Sequence, residues 1–154
     1  MPKLSAGILA FRRGEGSLEF LLVHPGGPLW GHKDDGIWSI PKGEYAHGEE
    51  PLAAARREFL EETGFEAKGP FIALSTLRQP SGKRVSAWAI EADFDADAIR
   101  SNTFVMEWPP HSGRHAEFPE VDRGGWFNVA DTKRKLLPGQ HGFADEIARL
   151  VGET

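Results

Sequence analysis

The chain of 154 residues contains no cysteine. A disulfide framework, a thiolate zinc site and a cysteine nucleophile are therefore excluded. No apolar run approaches the roughly 20 residues needed to cross a bilayer. The apolar stretch at residues 6–11 is short and followed by Arg12 and Arg13, so it reads as a strand, not an export signal, and a cytoplasmic location is the expectation. Among 18 glycines there is neither a Gly-x4-Gly-Lys-Ser/Thr loop nor a Gly-x-Gly-x-x-Gly fingerprint, and the six histidines show no HExxH spacing. These absences argue against P-loop NTPase, Rossmann and zinc-protease chemistry. With 18 basic and 23 acidic residues the formal net charge is -5, which argues against broad binding to nucleic-acid duplexes or anionic membranes. The length fits one domain spanning residues 1–154.

What is present has a clear order. Residues 4–12 and 18–24 are β-rich and joined by the turn-forming stretch 13–17, which predicts a hairpin. Residues 25–36 carry four glycines and two prolines and read as an exposed loop, with a short extended segment at 37–40. Pro51 suits a first helical turn, and residues 52–63 read as a helix that stops at Gly64. Residues 65–78 and 84–94 predict a second antiparallel pair around Pro80-Ser81-Gly82. The stretch 94–123 is irregular and proline-rich, 126–129 suggests a last strand, and Phe143, Ile147 and Leu150 mark a terminal amphipathic helix. This order implies an α+β or α/β/α sandwich, not a doubly wound parallel sheet.

The chemistry concentrates on the helix. Glu58, Glu61 and Glu62 stand at i, i+3 and i+4 and share one face, while Leu52, Ala55 and Phe59 point to the neighbouring face. Like charges at these spacings destabilise a helix by a few tenths of a kcal/mol per pair, so a cation is expected beside them. Carboxylates without histidine or cysteine suit magnesium or manganese, which share their coordination with water and substrate phosphates.

Residues 43–65, GEYAHGEEPLAAARREFLEETGF, resemble the Nudix box of the Nudix hydrolase family at every position: Gly43, Glu49, Arg57, Glu58, Phe59, Glu61, Glu62, Gly64 and Phe65. Seven fixed residue types at ordinary usage match by chance with a frequency of about 10⁻⁸. The resemblance implies a Nudix-type α/β/α sandwich with a mixed β-sheet, and a hydrolase that cleaves a phosphoanhydride bond in a nucleoside diphosphate linked to another group. It implies Mg2+ or Mn2+ bound by Glu58, Glu61, Glu62 and the Gly43 carbonyl, with Arg57 holding a box glutamate in orientation. Glu49 either supports that site or serves the helix dipole. The attacking water needs a base, for which the resemblance makes Glu58 the first candidate, with Glu107, Glu117 and Glu120 of a later loop as the alternatives.

The substrate signals conflict. Lys42, in the opening Trp38-Ser39-Ile40-Pro41-Lys42-Gly43, brings positive charge to a phosphate chain and resembles members acting on dinucleoside polyphosphates, capped RNA ends and diphosphoinositol phosphates. The tyrosine that many dinucleoside-polyphosphate enzymes carry beyond the box is missing, since Tyr45 is the only one. Pro80, 15 residues beyond Phe65, resembles the marker of ADP-ribose pyrophosphatases or is a turn proline. Trp30, Phe104, Trp108 and Phe118 are candidates for stacking on a base. His32 and His47, and Arg78, Arg84, Arg114 and Arg123, are weaker candidates for substrate contact. The expected partner is a small nucleotide or polyphosphate. The alternative is a non-catalytic Nudix-fold nucleotide-binding or regulatory module. Oligomeric state, the bond cut and the number of metal ions stay open.

Overall fold

The computed structural model describes residues 3–14 and 16–152. Its central strand is β1 (Leu4–Gly14), paired antiparallel with β2 (Ser17–Pro25) through Phe11↔Phe20 to Gly14↔Ser17. The predicted hairpin is therefore present, although Glu15 in its turn lies outside the described residues. Alternate β1 side chains face opposite sides of the sheet. Ala6, Ile8 and Ala10 join one core with Ala54, Ala55 and Phe59 of helix α1 (Pro51–Thr63). Leu9 and Phe11 join the other with Phe143, Ala144 and Ile147 of a C-terminal helix. Burial on both faces makes the α/β/α sandwich that the element order implied.

The sheet is mixed, as expected. β1 pairs in parallel with β6 (Arg84–Glu91), and β2 pairs antiparallel with β9 (Val121–Asn128). Between β1 and β2 a wedge is inserted. Ile8 N–H donates to Pro41 O, Val23 and Ser39 exchange both backbone hydrogen bonds, and β3 (Lys42–Glu44) pairs with Ser5–Gly7 of β1. The segment predicted as extended at 37–40 makes only single bridges there, and the strand proper begins at Lys42, because Trp38 and Ser39 each bond to a different neighbour. Gly7 permits the close approach: a β-carbon there would sit 2.6 Å from Pro41 O and 2.7 Å from Lys42 Cβ.

Three expectations are corrected. The long strand at 65–78 is two short ones, β4 (Ile72–Ala73) and β5 (Leu77–Arg78), both against β6: Gly69 and Pro70 precede the first, and between the two the Ser75 N–H donates to Glu146 Oε1 of the C-terminal helix. Within 94–123 lies a separate hairpin, β7 (Thr103–Glu107) with β8 (His115–Pro119), and β9 starts at Val121, earlier than 126. A helix α2 (Val129–Lys135) follows β9, capped by Asn128, whose side chain accepts from Asp131 N–H, with Lys133, Arg134 and Lys135 at its C-terminal end. The terminal helix α3 (His141–Leu150) buries Phe143, Ala144 and Ile147, while Leu150, in its last turn, is exposed. Among the described residues no helix is long and apolar enough to cross a membrane.

Candidate active site

Helix α1 is defined at both ends. The Glu50 side chain accepts from Ala53 N–H, Pro51 opens the first turn, and Gly64 at φ 80 closes it with its N–H donating to Leu60 O. The buried face is Ala54, Ala55, Phe59 and Thr63; Leu52 is only half-buried, so Ala54 takes the place expected of it. That face fixes the rotation of the helix and turns Glu58 and Glu62 toward the wedge.

A β-carbon added to Gly43 would land on the Glu58 carboxylate, so glycine lets that carboxylate lie directly against the backbone of β3. One residue earlier, Lys42 N–H donates to Glu62 Oε1 at 3.2 Å. Arg57 ties three box glutamates: Nη1 donates to Glu58 Oε2 at 2.7 Å and to Glu61 Oε1 at 3.5 Å, and Nε donates to Glu49 Oε2 at 3.2 Å. The resemblance implies that Arg57 orients a box glutamate; it contacts Glu58 and Glu61, and Glu49 as well. Among the described residues, no three carboxylate or imidazole side chains converge as a ready-made cluster. Glu58 and Glu61 lean on Arg57 instead, and Glu62 on the Lys42 amide.

The carboxylates share one electrostatic field. Burial pushes Glu62 up to about 8, reinforced by the charges of Glu58 and Glu120 and opposed by the Lys42 N–H. Glu58 is also raised, first by burial and then by Glu61, against the pull of Arg57. Glu120 is raised by burial and by Glu61. Lys42 is lowered by burial and by the nearby Lys83.

Lys42, Glu62 and Glu120 line one cavity of ≈ 290 Å³, whose remaining wall includes Val23, Pro25, Trp30, Ile37, Val121 and Leu137. Of the three later glutamates only Glu120 reaches this cleft. Glu107 accepts from the His111 and Gly113 N–H groups at the tip of the β7–β8 hairpin, and Glu117 accepts from Thr103 Oγ1. Glu120 is held by its backbone, its N–H donating to Asn102 O and its carbonyl accepting from Gly26 N–H.

The aromatic candidates separate in the same way. Trp30 lines the cleft, whereas Phe104 and Phe118 pack on each other across β7–β8, with ring centroids 6.0 Å apart. Trp108 lies at the end of that hairpin and lines no part of the cleft. His32 and His47 are exposed away from it, and so is Arg114; Arg123 lies against Asp122 and over Trp38. Arg78 and Arg84 line a different, open surface with Lys3 and Lys83. Pro80 occupies the turn between β5 and β6 and lines another surface with Pro138 and Gly139, so its turn role is the one the geometry displays. Sequence reading missed His24, Asp34 and Gln140. Gln140 Oε1 accepts from Ile40 N–H at 3.0 Å and so holds the wedge from the α3 side. Nothing local in the sequence separates these polar residues from surface ones: apart from the Trp38 bond to Asp34 and the Lys33 carbonyl beside His24, their partners lie far along the chain.

The comparisons with known proteins agree with this architecture. An RNA pyrophosphohydrolase of Mesorhizobium japonicum is 27% identical over 72% of this chain and 68% of its own length. The solved binary complex of a C. elegans Ap4A hydrolase superposes with a TM-score of 0.66 at 21% identity, covering 97% of this chain and 99% of that one. The NUDIX domain of Shewanella oneidensis NrtR, solved with ADP ribose, superposes with a TM-score of 0.65 at 18% identity over 98% of this chain and 88% of that one. The NUDIX domain model matches residues 1–149, the whole sandwich from β1 to α3 with the glutamate helix inside it, and the chain belongs to that family.

Proposed function

We propose that this Nudix hydrolase, which acts on pyrophosphate bonds, cleaves a nucleoside polyphosphate, or a nucleoside diphosphate linked to another group, and does so with a divalent cation. The observation that carries the reading is the cleft in which Lys42, Glu62 and Glu120 stand at one end and Trp30 and aliphatic side chains at the other. Such a cleft offers charge to a phosphate chain and an apolar surface to a base.

The residues present fit Mg2+ or Mn2+. Glu58, Glu61 and Glu62 are hard oxygen donors on one helical face, and the glycine-only approach of Gly43 to Glu58 leaves room for a backbone carbonyl to join them. A cation held there supplies positive charge to the oxygens of the phosphate under attack. Arg57 keeps Glu58 and Glu61 in place through its fork of donors. The Lys42 ammonium attracts a phosphate oxygen at the mouth of the wedge. Glu120, anchored through its backbone, accepts the proton of the attacking water, with Glu58 as the alternative base. The Trp30 ring offers a face to the nucleobase.

The Trp-x-x-Pro-Lys-Gly opening and the names of the relatives, an RNA pyrophosphohydrolase and an Ap4A hydrolase, weigh toward a polyphosphate chain. The position of Pro80 in a turn outside the cleft weighs against ADP-ribose. A second reading, nucleotide binding without cleavage, draws on the likeness to the NrtR domain. Chromatographic product analysis tests all of these, with magnesium or manganese and a panel of diadenosine polyphosphates, triphosphate-ended RNA, NTPs, diphosphoinositol phosphates and ADP-ribose. Metal-dependent release of ADP, ATP or pyrophosphate, silenced by Glu62→Gln, is the expected result. Tight binding without turnover on any member moves the reading to the binding module.

A further inference from the structure

We infer that His24, protonated on both ring nitrogens, is a positioning residue that ties together two segments lining the substrate cleft. His24 lies near the end of β2, is fully buried, and sits between Val23 and Pro25, both of which line the cleft. Its Nδ1 faces Asp122 Oδ1 at 2.8 Å and its Nε2 faces the Lys33 carbonyl at 2.7 Å. A carboxylate and a carbonyl are both acceptors, so both contacts are hydrogen bonds only when each ring nitrogen carries a proton. Loss of either proton would set a lone pair against an acceptor inside the fold.

The two partners belong to different segments, each of which supplies residues to the cleft. Lys33 is in the loop that carries Trp30, and Asp122 follows Glu120 and Val121 at the start of β9. Independent of the ring, the β2–β9 ladder shifts register here: His24 pairs with Arg123 and Pro25 with Val121, leaving Asp122 as the extra residue. A bulge of this kind re-aims a side chain, and here it turns Asp122 toward His24. Gly26 N–H donates to Glu120 O, so the same junction also holds the backbone of Glu120. On its other side the His24 ring meets Trp38 edge to face at 5.1 Å, and Trp38 Nε1 donates to Asp34 of the same loop. One buried imidazolium therefore sets Trp30 relative to Glu120. This inference rests on the cleft being the nucleotide site.

Of the charged groups, Asp122 of β9 faces the ring directly, while Asp34 of the loop, paired to Lys135 of α2, is connected to it through Trp38, and the Lys33 ammonium lies over Trp30. Arg123 Nη1 contacts the same Asp122 oxygen at 3.4 Å, so it shares the anion with His24.

The test uses the full chain and two readouts. Nitrogen NMR of the His24 ring reports protonation without any activity. The affinity for ADP with magnesium, measured by calorimetry at one fixed pH, reports the cleft. In the wild type the ring is expected to show both nitrogens protonated. Asp122→Asn offers an amide N–H to Nδ1, so a neutral ring protonated on Nε2 satisfies both partners, and its affinity is expected to stay close to wild type. His24→Gln, which reaches only one partner, is expected to bind ADP about five-fold more weakly. A neutral ring in the wild type, or wild-type affinity in His24→Gln, overturns the inference. If no nucleotide binds at all, the ring signal still decides whether the two-proton clamp exists, and the failure then belongs to the reading of the cleft.

Discussion

Glu62 Oε1 accepts a hydrogen bond from the Lys42 backbone N–H at 3.2 Å, which joins helix α1 to the wedge between β1 and β2. Glu62→Gln keeps an oxygen for that bond and removes only the charge. Turnover is expected to fall by about 100-fold or more, since even groups that merely support a metal ligand cost 10- to 100-fold when lost. Stability is expected to hold or rise, because burial among Glu58 and Glu120 disfavours the ionised side chain in the fold. Steady-state rates and thermal unfolding of the same preparation check both halves. Near-wild-type rates would remove Glu62 from the site.

Gly43 and Gly7 face obstacles of different kinds, and this separates their alanine variants. At Gly43 the new β-carbon meets the end of the Glu58 side chain, which can swing aside. Gly43→Ala is therefore expected to lose 10- to 100-fold in activity, through Glu58 misplacement, with a small change in unfolding midpoint. At Gly7 the obstacle is the Pro41 backbone carbonyl, which cannot move without dislodging the wedge. Gly7→Ala is expected to destabilise by about 1–3 kcal/mol. Denaturant titration alongside kinetics distinguishes the two.

How much of this was legible depends on the reach of each signal. The helix at 51–63 was readable to its ends because its cap, proline and glycine are local, and its three glutamates follow from helical spacing alone. The β1–β2 hairpin was readable for the same reason. The β7–β8 hairpin was not, because neither strand buries a residue fully: exposed and half-buried positions alternate, but Val105 puts an apolar side chain on the exposed face and blurs that pattern in the sequence. Asn128 and the lysine-arginine run after Asp131 did announce α2, and went unread. Which of Glu107, Glu117 and Glu120 faces the cleft depends on hydrogen bonds across that hairpin, which no local pattern encodes.

Asp34 gives a pH dependence of stability with a definite sign. Its carboxylate accepts from Lys135 Nζ at 2.6 Å and from Trp38 Nε1 at 2.8 Å, and these contacts hold its pKa below the ordinary value, the Lys135 bond being the larger cause. A lowered folded pKa means that the contribution is fully present above the unfolded value, roughly 3.9, and is lost as pH falls through the folded one. Asp34→Asn is therefore expected to unfold at a lower temperature than wild type near neutrality, with the two midpoints converging below about pH 4. A gap that persists in acid would assign the effect to packing around Trp38.

The general base divides Glu120 from its two neighbours in sequence. Glu120 lines the cleft with Glu62 and Lys42, while Glu107 and Glu117 are spent on the β7–β8 hairpin. A positioned base is worth about 10²- to 10⁴-fold in rate, and its loss acts on the chemical step. Glu120→Gln is expected to lower kcat by that factor with KM little changed, since the amide keeps the shape of the cleft wall and the backbone bonds to Asn102 and Gly26 are untouched. Glu107→Gln and Glu117→Gln are expected to turn over normally and to loosen only the hairpin. Normal kcat in Glu120→Gln together with a collapse in Glu58→Gln would hand the proton to Glu58, and the role of Glu120 would then reduce to shaping the cleft beside the His24 clamp.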